Sequence, residues 1–187
     1  MSVLNINDFK EKLLGGGARS NLFRVTLRSP LGGLEEISTF MVKGAELPGS
    51  TINEITIPFR GRQLKVAGDK TFDPWTVTVI NDANFTIRKN IEIWMSAINN
   101  HEDGQGTNDN YFVDLDISQI DRNGNELRKY ELIGAWPSVL DPIAVSFDAE
   151  NQIEEFGVTF QYQYWKTDDL IEGGEGFGGG VNQGFTS

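Results

Sequence analysis

The sequence predicts a mainly β protein, an antiparallel β-sandwich or barrel with one flanking α-helix. Eight or nine segments alternate apolar and polar residues, the period of strands with one buried face. Only one long segment has the helical period of apolar residues. Helices do not alternate with the strands, so the pattern excludes βαβ units and a parallel sheet. The length of 187 residues suits a single domain.

The clearest strand is FGVTFQYQYW, residues 156–165. Its apolar face would hold Phe156, Val158, Phe160, Tyr162 and Tyr164. The opposite face holds no charge and consists of Gly157, Thr159, Gln161 and Gln163. Because solvated sheet faces usually carry Lys and Glu, which prevent strands from sticking together, a neutral polar face is expected to face something other than bulk water.

The other strand signals are shorter. Trp75, Val77 and Val79 share one face of residues 72–81, and Thr76 and Thr78 make a second neutral face. Further strands are predicted at residues 22–28, 37–43, 111–117, 127–135 and 142–147. The Asn-Gly pair within residues 121–125 indicates a hairpin turn, because Asn and Gly tolerate positive φ.

The helix is predicted to follow residues 72–81 and to end near residue 99, with Asp82 or Asn84 as its cap. An apolar stripe would pack it against the sheet, consisting of Phe85, Ile87, Ile91, Trp94, Met95 and Ile98. A second amphipathic pattern spans residues 5–14. That pattern fits either a short helix or a terminus that orders only on a partner.

Residues 44–69 are too long and too apolar for an ordinary connection between two core strands. They are interpreted as an extended β-hairpin arm; an edge hairpin folded back on the body is the alternative. The arm's candidate contact residues are Leu47, Pro48, Ile55, Ile57, Phe59, Arg60 and Arg62. The predicted division of the chain is therefore an N-terminal helix or arm at 1–20, a β domain at 21–171 that includes the arm, and a flexible glycine-rich tail at 172–187.

Composition excludes several functions. The 16 Lys and Arg against 27 Asp and Glu leave a net charge of −11, which argues against gripping nucleic acid through its phosphates. The absence of cysteine excludes disulfides and thiolate metal sites. His101 is the only histidine, so no nucleophilic triad or zinc set can be completed. No catalytic, metal-binding or cofactor-binding residue is predicted, and no segment has the pattern of a signal peptide or membrane span.

The positive evidence concerns self-assembly. Neutral outer faces and an apolar arm would be an aggregation hazard unless copies close into a ring or stack in order. A monomeric sandwich with Thr and Gln on its wet face remains the alternative.

Several blocks, in this order, resemble the tail tube protein of contractile-tailed, T4-like bacteriophages. The blocks are NLFRVTL, ELPG, the run from Gly61-Arg62 to Phe72, TVTVINDANFTIRKNIEIWMSAIN, QIDRNGN with the following GAWP, and EEFGVTFQYQYW. They extend from Asn21 to Trp165, which is most of the chain. The glycine-rich tail beyond them is longer than the family pattern requires.

The resemblance implies a protomer with one flanking helix, rings of six protomers with a continuous β-lined channel, and stacking of the rings into a tube. It further implies a tail sheath around the tube, a baseplate and a tail-terminator at its ends, DNA that passes through the lumen without specific binding, and no enzymatic activity or cofactor. The resemblance also implies that the protein is located in the virion tail, which is assembled in the host cytoplasm.

Thr76, Thr78, Thr159, Gln161 and Gln163 are the candidate channel-lining residues, because they lie on the neutral faces of their strands. Three other functions stay open at this point. They are the tube of a related contractile secretion or injection system, a β-sandwich binding module such as a lectin, and an enzyme that uses acidic residues.

Overall fold

The computed structural model describes Ile6 and residues 18–100, 104, 106, 111–148, 150 and 152–167. Nine strands and two helices of more than one residue lie in this part of the chain. In chain order they are β1 (Phe23–Thr26), α1 (Glu35–Met41), β2 (Val42–Ala45), β3 (Thr51–Phe59), β4 (Arg62–Thr71), β5 (Trp75–Ile80), α2 (Thr86–Ile98), β6 (Val113–Ile120), β7 (Glu126–Leu140), β8 (Glu155–Gln161) and β9 (Tyr164–Thr167). The prediction of a mainly β, antiparallel protein is confirmed.

Seven strands form one sheet in the order β1-β6-β7-β8-β5-β2, with β9 paired to β7. All pairs are antiparallel. The 15-residue strand β7 belongs to two layers, because its first half pairs with β6 and β9 and its second half pairs with β8. Gly134 lies between the halves with a left-handed φ of 62°, which glycine adopts without a steric penalty.

The core lies between these layers. Val77, Val79 and Val158 are fully buried, and Phe160 packs between two tryptophans. The ring centroid of Phe160 is 6.0 Å from that of Trp75 and 6.2 Å from that of Trp94. Each tryptophan is buried with its indole N–H donating to a backbone carbonyl oxygen. The sequence prediction for these three aromatic side chains is confirmed.

The helix α2 begins later than its apolar stripe suggested. Ile87, Ile91 and Trp94 are buried as predicted. Phe85 is not: it precedes the helix with a φ of 56° and is 39% exposed. Asp82 provides acceptors at the N-terminal end of α2. Its two carboxylate oxygens accept hydrogen bonds from the backbone N–H and the hydroxyl of Thr86, both at 2.8 Å.

The prediction of a strand at residues 37–43 is wrong. The structure has a second helix in addition to the one flanking helix that was predicted. Residues 35–41 form α1, and only then does β2 begin. Leu34, Ile37, Ser38 and Met41 recur at helical spacing and face the core, whereas Phe40 is 80% exposed. The buried Ser38 hydroxyl accepts a hydrogen bond from the backbone N–H of Leu27 at 2.9 Å, which fixes the helix against the end of β1.

The predicted continuous strand at residues 156–165 is two strands. β8 ends at Gln161 and β9 begins at Tyr164, because β7, the strand that both pair with, bends between its two halves. Tyr162 remains buried, but Tyr164 is about half exposed, so the last residue of the predicted apolar row does not reach the core. The backbone N–H of Gln163, in the break, donates to the carbonyl oxygen of Ile133 at 3.0 Å.

Two further boundaries differ from the prediction. Residues 142–147 form no strand, because β7 ends at Leu140 and no described strand lies beside the segment that follows. Gly44 and Ala45 belong to β2, and the hairpin itself runs from Thr51 to Thr71. Most of the predicted N-terminal helix, His101 with most of its loop, and the glycine-rich tail lie outside the described residues.

Candidate assembly surfaces

The outer face of β5 and β8 carries a patch of uncharged side chains, here called the neutral face. It consists of Thr76, Thr78, Thr159 and Gln161, opposite the buried residues of the same strands. Thr76 is paired with Thr159, and their hydroxyl oxygens are 2.9 Å apart. Thr78 lies beside Gly157 on β8, and Gln161 lies beside Trp136 on β7. The structure therefore brings four of the five candidate channel-lining residues together.

The neutral face is bounded by charge at one end and by Gln163 at the other. Lys43 and Glu155 form an ion pair at 2.6 Å at the Ile80 end of β5. The Asp141 carboxylate covers Gly157, where an added Cβ would be 2.1 Å from Asp141 Oδ2. Gln163 lies in the break after β8 and over the bend of β7, so it is beside the neutral face rather than on either strand.

The outer face of the other layer is different, because its charges are paired with one another. Asp116 Oδ2 is 2.6 Å from Arg28 Nη2 and 3.5 Å from Lys129 Nζ, and Lys166 Nζ is 2.9 Å from Glu131 Oε2. Burial works to lower the pKa of Arg28, but the hydrogen bond and charge of Asp116 outweigh it and raise that pKa. The hydrogen bond with Glu131 raises the pKa of Lys166. Both cations are thereby held charged, and the two outer faces of the molecule differ in electrostatic character.

The hairpin of β3 and β4 is a separate two-stranded sheet. Register places Ile55 beside Val66, Ile57 beside Leu64 and Phe59 beside Arg62 on one face. The five apolar side chains of this face are 38–67% exposed. Leu64 and Val66 were missing from the sequence-based contact list, although cross-strand register in a hairpin would have identified them.

The remaining predicted contact residues lie at the two ends of the hairpin. Arg60 is at the turn, with a φ of 44°, and its guanidinium lies 5.5 Å from the centroid of the Phe59 ring. Leu47 is exposed and Pro48 is half-buried in the connection from β2. That connection is attached to the body, because the Trp165 indole N–H donates to the carbonyl oxygen of Gly49 at 3.0 Å.

A second exposed apolar surface was not predicted as a contact surface. It lies between β7 and β8 at residues 141–148, 150 and 152–154, here called the acidic loop. Val145, Phe147 and Ile153 are 71–108% exposed, although they are apolar. The loop borders a cavity of about 550 Å³. The apolar alternation in residues 142–147 is the available signal, but it predicts a strand rather than a contact surface.

A groove of about 1030 Å³ separates α2 from the second half of β7 and is lined by Ile93, Trp136 and Val139 among others. In the described part of the chain, no three His, Cys, Asp or Glu side chains are grouped so as to hold a metal ion. Among the same residues, no helix combines the length and apolar character needed to cross a membrane.

Comparison with known proteins identifies the family. The model of the phage tail tube protein family matches residues 18–168. The chain is 35% identical over 155 residues to the tail tube protein gp19 of Enterobacteria phage T4, which covers 81% of this chain and 93% of the T4 protein.

Solved structures show the same fold at much lower identity. A chain of the anti-feeding prophage baseplate superposes with a TM-score of 0.62 at 12% identity, covering 81% of this chain and 95% of that one. A chain of the sheath/tube terminator of the PVC extracellular contractile injection system also gives 0.62, at 15% identity, with 81% and 96% covered. The family match and the identity to the T4 protein show that this chain belongs to the phage tail tube proteins, the structural, non-enzymatic tube components of contractile phage tails.

Proposed function

We propose that six copies of this chain close into a ring, that the rings stack into the inner tube of the tail, and that the neutral face lines the bore. The observation that carries the proposal is this uncharged patch on a protein of net charge −11. Thr76, Thr78, Thr159 and Gln161 would form the wall, and Gln163 would lie at its margin.

A wall of this kind suits DNA that must move without adhering. Binding to nucleic acid gains free energy when Lys and Arg neutralise phosphates and release counterions. The neutral face has no cation in its centre, and Lys43 at its end is paired with Glu155. Asp141, which covers Gly157, would repel phosphate rather than hold it.

The hairpin would contact the neighbouring ring, through Leu47, Pro48, Ile55, Ile57, Phe59, Arg60 and Arg62. An apolar face left open in one copy is typical of a surface that a partner covers. The tail sheath would surround the tube, and baseplate and tail-terminator proteins would contact its two ends. Assembly would take place in the host cytoplasm before the tail joins the virion.

The tube of a contractile injection system is the second candidate. The likeness to the anti-feeding prophage and PVC chains supports the shared fold, whereas the sequence identity is more than twice as high to the phage protein. Capsid genes beside the gene for this chain would favour the phage tail, and a secretion ATPase gene would favour the alternative.

The bore assignment is tested by placing a cation on the neutral face. Phage that carry Gln161→Lys or Thr78→Lys are expected to assemble normal tails but to eject their genome slowly or not at all, because six added lysines in every ring would attract phosphate. The measurement is genome ejection after virions have been counted and inspected by electron microscopy.

The matched control is Thr26→Lys, on the ion-paired outer face beside Asp116. Ejection from this variant is expected to remain normal. Slow ejection from Thr26→Lys together with normal ejection from both neutral-face variants would assign the bore to the other layer.

A further inference from the structure

The hairpin and the acidic loop lie at opposite ends of the same sheet layer. The hairpin joins the sheet at the beginning of β5, where the Trp75 indole N–H donates to the carbonyl oxygen of Glu46. The acidic loop lies at the other end, where Ile80 pairs with Glu155 and the Asn81 N–H donates to the carbonyl oxygen of Glu154 at 2.8 Å. The six residues of β5 separate these ends by about 17 Å.

The two surfaces match in apolar character. The hairpin presents Phe59 at its tip, beside Ile57 and Leu64. The acidic loop presents Val145, which lines a cavity of about 550 Å³, and the exposed Phe147 close to it in the chain. Exposed apolar surfaces of this kind mark sites of protein association, and no segment among the described residues covers either of them.

The two surfaces are opposite in charge. Residues 51–71 carry a net charge of +2, because Arg60, Arg62, Lys65 and Lys70 outnumber Glu54 and Asp69, so that the remainder of the chain carries −13. Lys65 is already paired with Glu54 at 2.8 Å, but Arg60 and Arg62 have no carboxylate within ion-pair distance among the described residues. Both arginines are exposed at the tip, so the free positive charge of the hairpin lies beside its apolar face.

The acidic loop supplies the complementary charges. Residues 141–154 contain four Asp and Glu and no Lys or Arg, and Glu155 follows as the first residue of β8. Glu154 and Glu155 are bonded to Asn81 and Lys43. Asp148 and Glu150 are exposed and make no ion pair in the described part of the chain, which leaves their carboxylates available to guanidinium groups of a partner.

We propose that the hairpin of one copy docks on the acidic loop of a second copy, with Phe59 against Val145 and Phe147 and with Arg60 and Arg62 facing Asp148 and Glu150. The inference rests on the proposed stacking of rings and names the receptor surface for the hairpin. The hairpin of nine- and ten-residue strands extends roughly 27 Å from its base, which is long enough to reach a neighbouring copy.

This contact is head-to-tail, because one copy uses the Trp75 end of its sheet layer and the next copy uses the Ile80 end. Heterologous contacts of this kind do not close on themselves in pairs but continue from copy to copy. The docking therefore gives the stack a direction: every ring exposes hairpins on one side and acidic loops on the other.

Cysteine crosslinking tests the docking. Because the sequence contains no cysteine, only the introduced cysteines can react. Tubes of the double variant Phe59→Cys/Phe147→Cys are treated with a short thiol-reactive crosslinker and separated on a denaturing gel. A ladder that extends beyond the dimer is expected, since each copy is linked through its hairpin to one neighbour and through its loop to another. Phe59→Cys alone can give no product larger than a dimer.

The matched control is Phe59→Cys/Ile93→Cys, which tests the other exposed groove, between α2 and β7. A ladder from this pair, and none from the first, would overturn the docking and move the hairpin to that groove. Tubes that crosslink through neither pair would also overturn it, but would leave the proposed tube intact. If the parent chain forms no rings or tubes even on isolated baseplates, the proposed function itself is contradicted.

Charge exchange provides an independent measurement. Arg60→Glu/Arg62→Glu and Asp148→Lys/Glu150→Lys are each expected to reduce tube yield at least tenfold, and the four changes together are expected to restore it. Lys89→Glu/Arg122→Glu makes the same change in net charge as Arg60→Glu/Arg62→Glu, at exposed positions elsewhere, and is expected to leave the yield unchanged. Failure of the fourfold variant to recover, with both double variants folded, would contradict the pairing.

Discussion

Strands β5 and β3 have the same alternating sequence pattern but opposite environments. Trp75, Val77 and Val79 of β5 are 0–2% exposed, whereas Ile55, Ile57 and Phe59 of β3 are 45–67% exposed. The pattern in each strand places the apolar residues on one face. It does not determine whether a second layer covers that face within the same chain. The exposure of this apolar face in a single copy is the physical basis for the proposal that the hairpin serves assembly.

The buried core, to which the apolar face of β5 belongs, is tested most strongly by Trp94→Ala. Trp94 is buried against Phe160, so its removal is expected to cost about 3–5 kcal/mol of a total stability of about 5–15 kcal/mol. Thermal and urea denaturation measure the loss. Phe40→Ala, at an exposed position on α1, is the control and is expected to change stability by less than about 0.5 kcal/mol. Equal melting temperatures for the two variants would contradict the assigned core.

Asp116→Ala tests the same contrast with a charged side chain, because Asp116 is buried in the body of the protein. Asp116 is 7% exposed and holds both Arg28 and Lys129. Its loss is expected to cost about 1–3 kcal/mol, since Arg28 would lose its strongest partner while it remains partly desolvated. Urea denaturation at neutral pH measures this. A change no larger than that of Phe40→Ala would mean that the pair contributes nothing net.

Asp82→Ala is expected to have a smaller, pH-dependent effect. Burial works to raise the pKa of Asp82, but hydrogen bonds from the Thr86 hydroxyl and backbone N–H outweigh it and lower the pKa below its ordinary value. A carboxyl group with a depressed folded-state pKa stabilises the protein above its unfolded pKa of about 3.9 and loses that contribution as the pH falls through the folded pKa. The variant is therefore expected to lose about 1 kcal/mol at pH 7.

The difference between parent and Asp82→Ala should shrink when the urea denaturation is repeated at decreasing acid pH. A difference that stays constant from neutral to acid pH would assign the effect to packing rather than to the charge at the start of α2.

The smallest effect on stability is expected for Ile57→Thr, and this variant tests the comparison most directly. Ile57 is exposed on a hairpin whose strands pair only with each other, so the change is expected to alter the stability of the monomer by less than about 0.5 kcal/mol. The same class of change at Val77 buries a hydroxyl and is expected to cost about 1–3 kcal/mol. The yield of tubes should nevertheless fall for Ile57→Thr. Equal destabilisation by the two changes would show that the hairpin is covered by its own body.

The sequence by itself determined the local properties of this protein. Alternation in residues 75–80 assigned Trp75, Val77 and Val79 to the core, and helical periodicity assigned Ile87, Ile91 and Trp94. These predictions succeeded because side-chain direction follows from backbone geometry, which has a fixed period in each regular element. The ordered family blocks were also visible in the residues alone, and the family is confirmed.

Only the tertiary structure decided what each face meets. Residues 37–41 alternate well enough for a strand, but Leu34, Ile37 and Met41 bury more as a helix over the end of β1. Residues 142–147 alternate too, yet none of the described strands lies beside them, and Phe147 is fully exposed. The break after Gln161 follows from the bend of β7, a strand distant in sequence. Each outcome depends on partners brought together by long-range pairing, and a local pattern contains no information about which partner arrives.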